Sequence, residues 1–292
     1  MTDADEKYVD PVTGVESTGH EWDGIVELNN PMPRWWLIVF YVTIVWSVIY
    51  WVFMPAWPGL TDHTKGIRGH TERQNVAAAV EAAMAERSAS ATRLTEAANL
   101  AAIEADPELL QFALALGESA FGDNCATCHG AGGQGFKGYP NLADDAWLWG
   151  GSLDAIEHTL TVGIRSDHPD ARFSQMPAFG RDGLLNREQV SDVVEYVVSL
   201  SGRDADASAA ARGAVLFEEQ CVVCHQQGGV GDRTQGAPNL SDAIWLYGGE
   251  RADIRETIWN SRYGVMPTWE ARLDDATIAA LAVYVHALGG GE

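Results

Sequence analysis

Two identical motifs contain the residues of this chain best suited to chemistry. The pattern Cys-X-X-Cys-His occurs at residues 125–129 and 221–225, and together the two motifs use all four cysteines of the sequence. Cysteines three positions apart on one helical turn can both form thioether bonds with one haem, and the following histidine can bind its iron. The motifs therefore predict two haems c, with these attachment and proximal residues: Cys125, Cys128, His129, Cys221, Cys224 and His225.

Zinc and disulfide bonds are the alternative roles for paired cysteines. Structural zinc sites also use cysteines two residues apart, and an exported protein can form a disulfide within each pair. A long stretch separates Cys128 from Cys221, and histidine directly follows each second cysteine, so the pattern favours haem. A zinc-stabilised binding module stays open as a hypothesis, and a pyridine haemochrome spectrum without haem c would support it.

The distal iron ligands must come from outside the motifs. Four of the six methionines lie before both motifs, in the tail, the membrane region and the spacer: Met1, Met32, Met54 and Met84. Met176 and Met266 each precede proline and each follow one motif, so we predict the axial pairs His129 with Met176 and His225 with Met266. Methionine opposite histidine raises the reduction potential compared with two histidines.

Other residues compete with or accompany these ligands. Packing in the core is the alternative role for both methionines, and three histidines are competing distal ligands: His158, His168 and His286. Arginines near the methionines are candidates to bind haem propionates, because a guanidinium group matches carboxylate geometry. They are Arg165, Arg172 and Arg262. With both axial positions filled by protein, neither iron offers a substrate site, and we predict no catalytic residue.

Both motifs lie in an internal repeat. Each copy has a Gly-X-X-X-Phe segment before the motif, then Pro-Asn-Leu, an aromatic segment ending in Gly-Gly, and Met-Pro. Each copy opens with a helical pattern (109–122 and 208–219) and closes with another (186–200 and 275–288), without strand alternation between them. We predict two tandem all-α domains, 107–203 and 204–292, in which the opening helix crosses the closing helix at Tyr196 or Tyr284.

The chain before the repeat predicts a membrane anchor. Residues 1–33 form an acidic tail unlike a signal peptide, which begins with basic residues. No charge occurs from Trp35 to Trp57, and about 20 apolar residues suffice to cross a bilayer. We therefore predict a transmembrane helix over 34–57, with a buried core helix as the alternative. An alanine-rich stretch predicts a helical spacer over 58–106, ending before Pro107.

Charge and haem chemistry limit the partners and the location. With 19 basic and 41 acidic residues the net charge is −22, which disfavours nucleic acid and favours cationic partners, or reflects solubility in a salty habitat. Haem c is attached on the outer side of the bacterial cytoplasmic membrane. We therefore predict a single-pass inner-membrane protein in contact with lipid, its tail in the cytoplasm and its haem domains in the periplasm.

Several segments together resemble one known family. They are TGHEWDGIVELNNPMPRWW and FYVTIVWSVIY around the span, and YPNLADDAWLWGG, VGIRSDHPDARFSQMPAFGR and APNLSDAIWLYGG in the repeat. Nearly the whole chain is similar to the membrane-anchored dihaem subunit, CcoP or FixP, of cbb3-type cytochrome c oxidases.

The resemblance implies a fold and a role. The fold would be two class I cytochrome c domains with the axial pairs given above. Electrons would enter from a donor cytochrome c, pass the two haems and reach a monohaem subunit. A separate catalytic subunit would reduce oxygen to water and pump protons. A dihaem cytochrome of another respiratory complex, one that serves a dehydrogenase or oxidises quinol, is the alternative.

Overall fold

A computed structural model describes residues 7–291, which are mostly helical. The first six residues of the predicted tail and Glu292 lie outside the described residues. A hairpin comes first, with strands β1 (Ser17–Trp22) and β2 (Ile25–Leu28). The helices follow in chain order: α1 (Arg34–Phe53), α2 (Glu72–Glu96), α3 (Leu100–Ala105), α4 (Pro107–Asn124), α5 (Ala126–His129), α6 (Leu153–Val162), α7 (Arg187–Leu200), α8 (Ala207–Gln220), α9 (Val222–His225), α10 (Arg251–Asn260) and α11 (Asp275–Ala287). The chain divides into two compact units, Met1–Met84 and Ala85–Glu292.

The first unit contains a small sheet that the sequence pattern did not predict. Strands β1 and β2 pair antiparallel, with Trp22 opposite Ile25. The two residues between them, Asp23 and Gly24, have φ of 50° and 82°. An Asp-Gly pair with positive φ forms the two-residue turn whose twist matches a hairpin. The predicted all-helical fold is confirmed except for this hairpin.

Helix α1 is long and apolar enough to cross a membrane, and none of its residues is buried within the protein. The helix ends at Phe53, so residues 54–57 of the predicted span are not helical. Proline disfavours helical backbone at the residue before it, and Pro55 follows Met54 directly. The chain then folds back, and the amide of Ile67 donates to the carbonyl of Val52 at 3.0 Å.

The second unit pairs helices from different sequence copies. Helix α4, which opens the first copy, packs against α11, which closes the second, and α7 packs against α8. Phe121 contacts Tyr284 with ring centroids 5.4 Å apart, and Phe217 contacts Tyr196 at 5.1 Å. The predicted crossings at these tyrosines are present, but each opening helix crosses the closing helix of the other copy.

Two hydrophobic cores result from this exchange. The first core contains residues of α3, α4, α6 and α11, including Phe121, Leu160 and Leu281. The second core contains residues of α7, α8 and α10, including Val194, Phe217 and Ile258. The second core is therefore built from one continuous stretch of chain, which is inserted between the two parts of the first. The predicted boundaries 107–203 and 204–292 describe the sequence copies, whereas these cores cross them.

Several local signals of the sequence are realised in the helices. Asp106 caps α4 by accepting from the amides of Glu108 and Leu109, and Pro107 occupies the first turn. Helices α6 and α10, by contrast, lie between the predicted opening and closing helices, where the sequence pattern predicts no element. Both are short and contribute mainly Ile156, Leu160, Ile254 and Ile258 to the cores.

Close approach of α4 and α11 requires glycine at position 117. A Cβ there would lie 2.5 Å from both the carbonyl oxygen of Ala280 and the Cβ of Tyr284. We predict that Gly117→Ala lowers the free energy of unfolding by about 1–3 kcal/mol, as overpacking does. Gly122→Ala, on the open side of the same helix, will raise it by roughly 0.5–1 kcal/mol. If denaturant titrations give the same change in unfolding free energy for Gly117→Ala and Gly122→Ala, this packing is contradicted.

Candidate haem centres

Each Cys-X-X-Cys-His motif forms a short helical turn at the end of an opening helix. Cys125 ends α4, and the amide of His129 donates to the carbonyl of Cys125 at 2.9 Å. His225 and Cys221 repeat this bond at 2.9 Å after α8. The turn places both cysteines of a motif on one side and carries the histidine directly after them. This is the arrangement that two thioether bonds and one iron ligand require.

A backbone carbonyl orients each motif histidine. The Nδ1 atom of His129 lies 3.0 Å from the carbonyl oxygen of Pro140, and that of His225 lies 3.1 Å from the carbonyl oxygen of Pro238. Because a carbonyl can only accept, Nδ1 carries the proton and Nε2 has a free lone pair. A histidine fixed in this way is prepared to bind metal through Nε2.

Burial shifts the protonation equilibria of the motif residues. It lowers the pKa of both His129 and His225, and the bonds to Pro140 and Pro238 oppose that shift. The neutral imidazole, which is the form that binds iron, is thereby favoured. Burial, with the neighbouring cysteine, also raises the pKa of the Cys125 thiol to about 11.

The two candidate methionines lie against the cores opposite to those expected. Met266 packs on the first core, which contains Cys125 and Ala126. Met176 packs on the second core, together with Cys221. Met266 therefore shares a core with the first motif, and Met176 shares a core with the second. The within-copy pairs that we predicted from motif spacing differ from this arrangement, because the chain crosses between cores before each methionine.

The two methionine loops meet at this crossing. The amide of Met266 donates to the carbonyl of Ile164 at 3.0 Å, and the amide of Ile164 donates back at 2.9 Å. The hydroxyl of Ser261 donates to the carbonyl of Met176. Gly163 is needed beside them, because a Cβ there would lie 2.5 Å from the carbonyl oxygen of Met266. The positions of both methionines therefore depend on one shared set of backbone contacts.

The competing histidines have other surroundings. His158 is exposed on α6. Nε2 of His168 lies 3.0 Å from a carboxylate oxygen of Glu270, and Nδ1 of His286 lies 2.8 Å from one of Glu104.

The three candidate arginines differ in how their donors are used. Arg165 donates from Nε to the carbonyl of Gly264 and from Nη1 to that of Ser174. Arg262 donates from Nε to Thr257, and its Nη2 donates to the carbonyls of Tyr247 and Asp253. The Nε atom of Arg172 is buried and has no hydrogen-bond partner among residues 7–291. Among these three arginines, Arg172 alone thus has a buried donor that no described residue accepts from.

A cavity of about 750 Å³ separates the proline loops of the two copies. Its lining includes Pro140 and Trp147 from the first copy and Pro238 and Trp245 from the second. The copies also pack reciprocally near it: Trp149 covers Gly236 of the second copy, and Tyr247 covers Gly138 of the first. The loops that orient the two histidines therefore face one common space.

The sequence pattern does not identify the hydrogen-bond partners of the motif histidines. Pro140 and Pro238 each begin the Pro-Asn-Leu segment of their copy, which marks them as parts of the repeat. The repetition of this segment was the available signal. The group that acts is a backbone carbonyl, which side-chain patterns do not reveal.

Comparison with known families matches three separate parts of the chain. The N-terminal domain of cytochrome oxidase-cbb3, FixP, matches residues 14–61, and cytochrome c matches residues 114–201. Cytochrome c oxidase, cbb3-type, subunit III matches residues 208–285. The second and third matches follow the two sequence copies.

Full-length relatives agree with these matches. The cbb3-type cytochrome c oxidase subunit FixP of Bradyrhizobium sp. (strain ORS 278) is 54% identical over 99% of this chain and 100% of its own length. Subunit CcoP of Cereibacter sphaeroides is 53% identical over 94% of this chain and 95% of its own. Subunit FixP of Bradyrhizobium diazoefficiens is 52% identical over 100% of both.

Proposed function

Because the chain belongs to the family of dihaem cbb3-type cytochrome c oxidase subunits called CcoP or FixP, we propose that it carries electrons from a donor cytochrome c towards the site of oxygen reduction. The electrons pass through its two haems c to a monohaem subunit and then to a catalytic subunit on a separate chain. That subunit reduces oxygen to water and pumps protons. The present chain transfers electrons and contains no oxygen-reducing site.

One observation carries this proposal more than any other. Each motif histidine is held through Nδ1 by a proline carbonyl, beside a core that also receives a methionine. We assign His129 with Met266 to the haem attached at Cys125 and Cys128, and His225 with Met176 to the haem attached at Cys221 and Cys224. When bound, haem supplies one-electron redox chemistry. With a histidine and a methionine as ligands, each iron would offer no site to substrate, which suits electron transfer.

Arg172 is our candidate to bind a haem propionate, with Arg262 at the equivalent position four residues before the other methionine. Each guanidinium lies over an aromatic ring, Trp149 or Tyr247, at 5.3 and 5.0 Å from the ring centroid. The unpartnered Nε of Arg172 supports the assignment, since a carboxylate would accept from it.

We expect Arg172→Gln to lower the reduction potential of one haem, because it removes a positive charge that disfavours the oxidised iron. Arg172→Lys, which keeps the charge, will lower it less. Arg255→Gln, which removes a guanidinium bonded to Ser191 on the surface, is the control. A redox titration in which Arg172→Gln and the control coincide would exclude a propionate contact.

The location follows from haem chemistry. Haem c is attached outside the bacterial cytoplasmic membrane, so the haem domains belong in the periplasm and the N-terminal tail in the cytoplasm, with α1 crossing the lipid once. The apolar, unburied surface of α1 supports the single crossing. Protease treatment of intact spheroplasts will remove the haem domains if the orientation is correct, and will spare them if it is reversed.

The net charge of −22 suggests how a donor docks. An acidic protein attracts a basic cytochrome c, and salt screens that attraction within about 10 Å at 0.1 M. We expect oxidation of a basic donor cytochrome c by the complex to slow as ionic strength rises. A rate independent of salt would leave the charge as an adaptation for solubility.

Purification of the native complex tests the proposal as a whole. We expect the chain to copurify with haem b, copper and a monohaem cytochrome c. Copurification with a dehydrogenase or a quinol-oxidising complex would support the alternative assembly. If haem b and copper are both missing from the purified complex, the role in an oxidase is excluded.

A further inference from the structure

Arg165 occupies the point where the two methionine loops cross. Its amide donates to the carbonyl of Arg172 at 2.8 Å, while its neighbour Ile164 pairs with Met266 through two backbone hydrogen bonds. The residue therefore lies between the loop that leads to Met176 and the loop that contains Met266.

The side chain of Arg165 bonds both loops at equivalent positions. Nε donates to the carbonyl of Gly264 at 2.6 Å, and Nη1 donates to the carbonyl of Ser174 at 2.7 Å. Gly264 and Ser174 each stand two residues before a methionine, Met266 and Met176. A rigid, planar guanidinium group with divergent donors can hold two acceptors at a fixed separation.

The surroundings hold Arg165 in this position. Its φ of 51° lies in the left-handed region, which non-glycine residues adopt only where other contacts enforce it. The guanidinium carbon lies 5.8 Å from the centroid of the Tyr263 ring. Burial lowers the pKa of Arg165, but an arginine stays charged at any physiological pH.

We infer that Arg165 is a positioning residue for both axial methionines, and that it couples the coordination of the two haem irons. The sequence had suggested a propionate contact for this residue, whereas its observed partners are the two loop carbonyls. The inference rests on the ligation proposed above. Its physical basis is that one cation fixes the backbone next to Met176 and Met266 together, so its loss loosens both loops at once.

The test uses the full-length chain with both haems attached. Imidazole competes with methionine for ferric iron, so its affinity reports how firmly each methionine is held. We expect Arg165→Gln to tighten imidazole binding about tenfold at both haems, a change equivalent to about 1.4 kcal/mol. Both reduction potentials should fall, and both methionine-to-iron charge-transfer bands should weaken.

Two further variants make the result decisive. Arg181→Gln removes an arginine that also joins the copies, through the carbonyl of Asn260 at 3.3 Å, without bonding the residues next to either methionine. It should leave both haems unchanged. Arg165→Lys keeps the charge but not the planar guanidinium group, so it should loosen both methionines less than Arg165→Gln does. If Arg165→Gln fails to fold, Arg165→Lys takes its place in the imidazole test.

The outcomes separate the inference from the function on which it rests. A change at only one haem, or at neither, overturns the coupling by Arg165. If the unaltered protein lacks methionine-to-iron bands, methionine ligation itself fails, whatever Arg165→Gln does. If Arg181→Gln matches Arg165→Gln, general loosening of the contact between copies explains the effect and the specific role is excluded.

Discussion

In a full-length chain in which Cys221→Ala and Cys224→Ala leave one attached haem, Met266→Ala will alter the spectrum of the haem that remains at the first motif. Met176→Ala will not. The reason is that Met266 packs on the core of Cys125, and Met176 on the other. Axial ligands span roughly 0.8 V of haem potential, so we expect a fall on the order of 0.1 V for Met266→Ala.

Redox titration and the methionine-to-iron band measure this outcome. Met84→Ala replaces an exposed methionine of α2 and is the control for general effects of the substitution. If Met176→Ala changes the remaining haem and Met266→Ala does not, the ligands pair within each sequence copy and the exchanged assignment is incorrect. If neither variant changes it, the distal ligand is another residue.

Removal of α11 should destroy the first core and spare the second. A chain that ends at Arg272 lacks Ile278, Leu281, Val283 and Val285, all of them buried. At about 1.5–3 kcal/mol each they contribute roughly 6–12 kcal/mol, which is comparable to the whole stability of a typical domain at about 5–15 kcal/mol. The haem at the first motif should therefore lose its methionine band, although that motif is intact.

Limited proteolysis with haem staining and mass spectrometry of the fragments will show which motif survives. A chain that ends at Leu288 keeps α11 and is the control. If the protease-resistant fragment carries the first motif and not the second, each copy folds with its own closing helix. If no protease-resistant fragment carries either motif, the two cores are stable only together.

Local signals in the sequence predicted most of the helices but not their partners. Pro107 and Asp275 mark the starts of α4 and α11, and the helices begin there. Tyr196 and Tyr284 were expected to contact an opening helix, and they do. Which opening helix each one meets cannot be read from the repeat, because both copies offer the same glycine and phenylalanine at the crossing. The choice is made by the path of the chain after α6 and α10.

The residues of the candidate haem sites also fall into those that the sequence predicts and those that it does not. The motif cysteines, their histidines and the two methionines are residue types with recognisable chemistry, so spacing alone identified them as candidates. The carbonyl of Pro140 and the role of Arg165 depend on backbone positions far apart in sequence. The Asp23-Gly24 pair is a sequence signal for a hairpin turn. The strands beside it are short and lie in an acidic segment, so the sequence pattern did not predict them.

The insertion of one core into the other sets an order of synthesis. The motif at Cys125 leaves the ribosome first, but its core needs α11 and Met266, which are made last. The second core, built from continuous chain, can close before the end of the chain is in place. Under the ligation proposed above, the haem site whose motif comes first in the chain is therefore the last to be completed, because its methionine follows the whole second core.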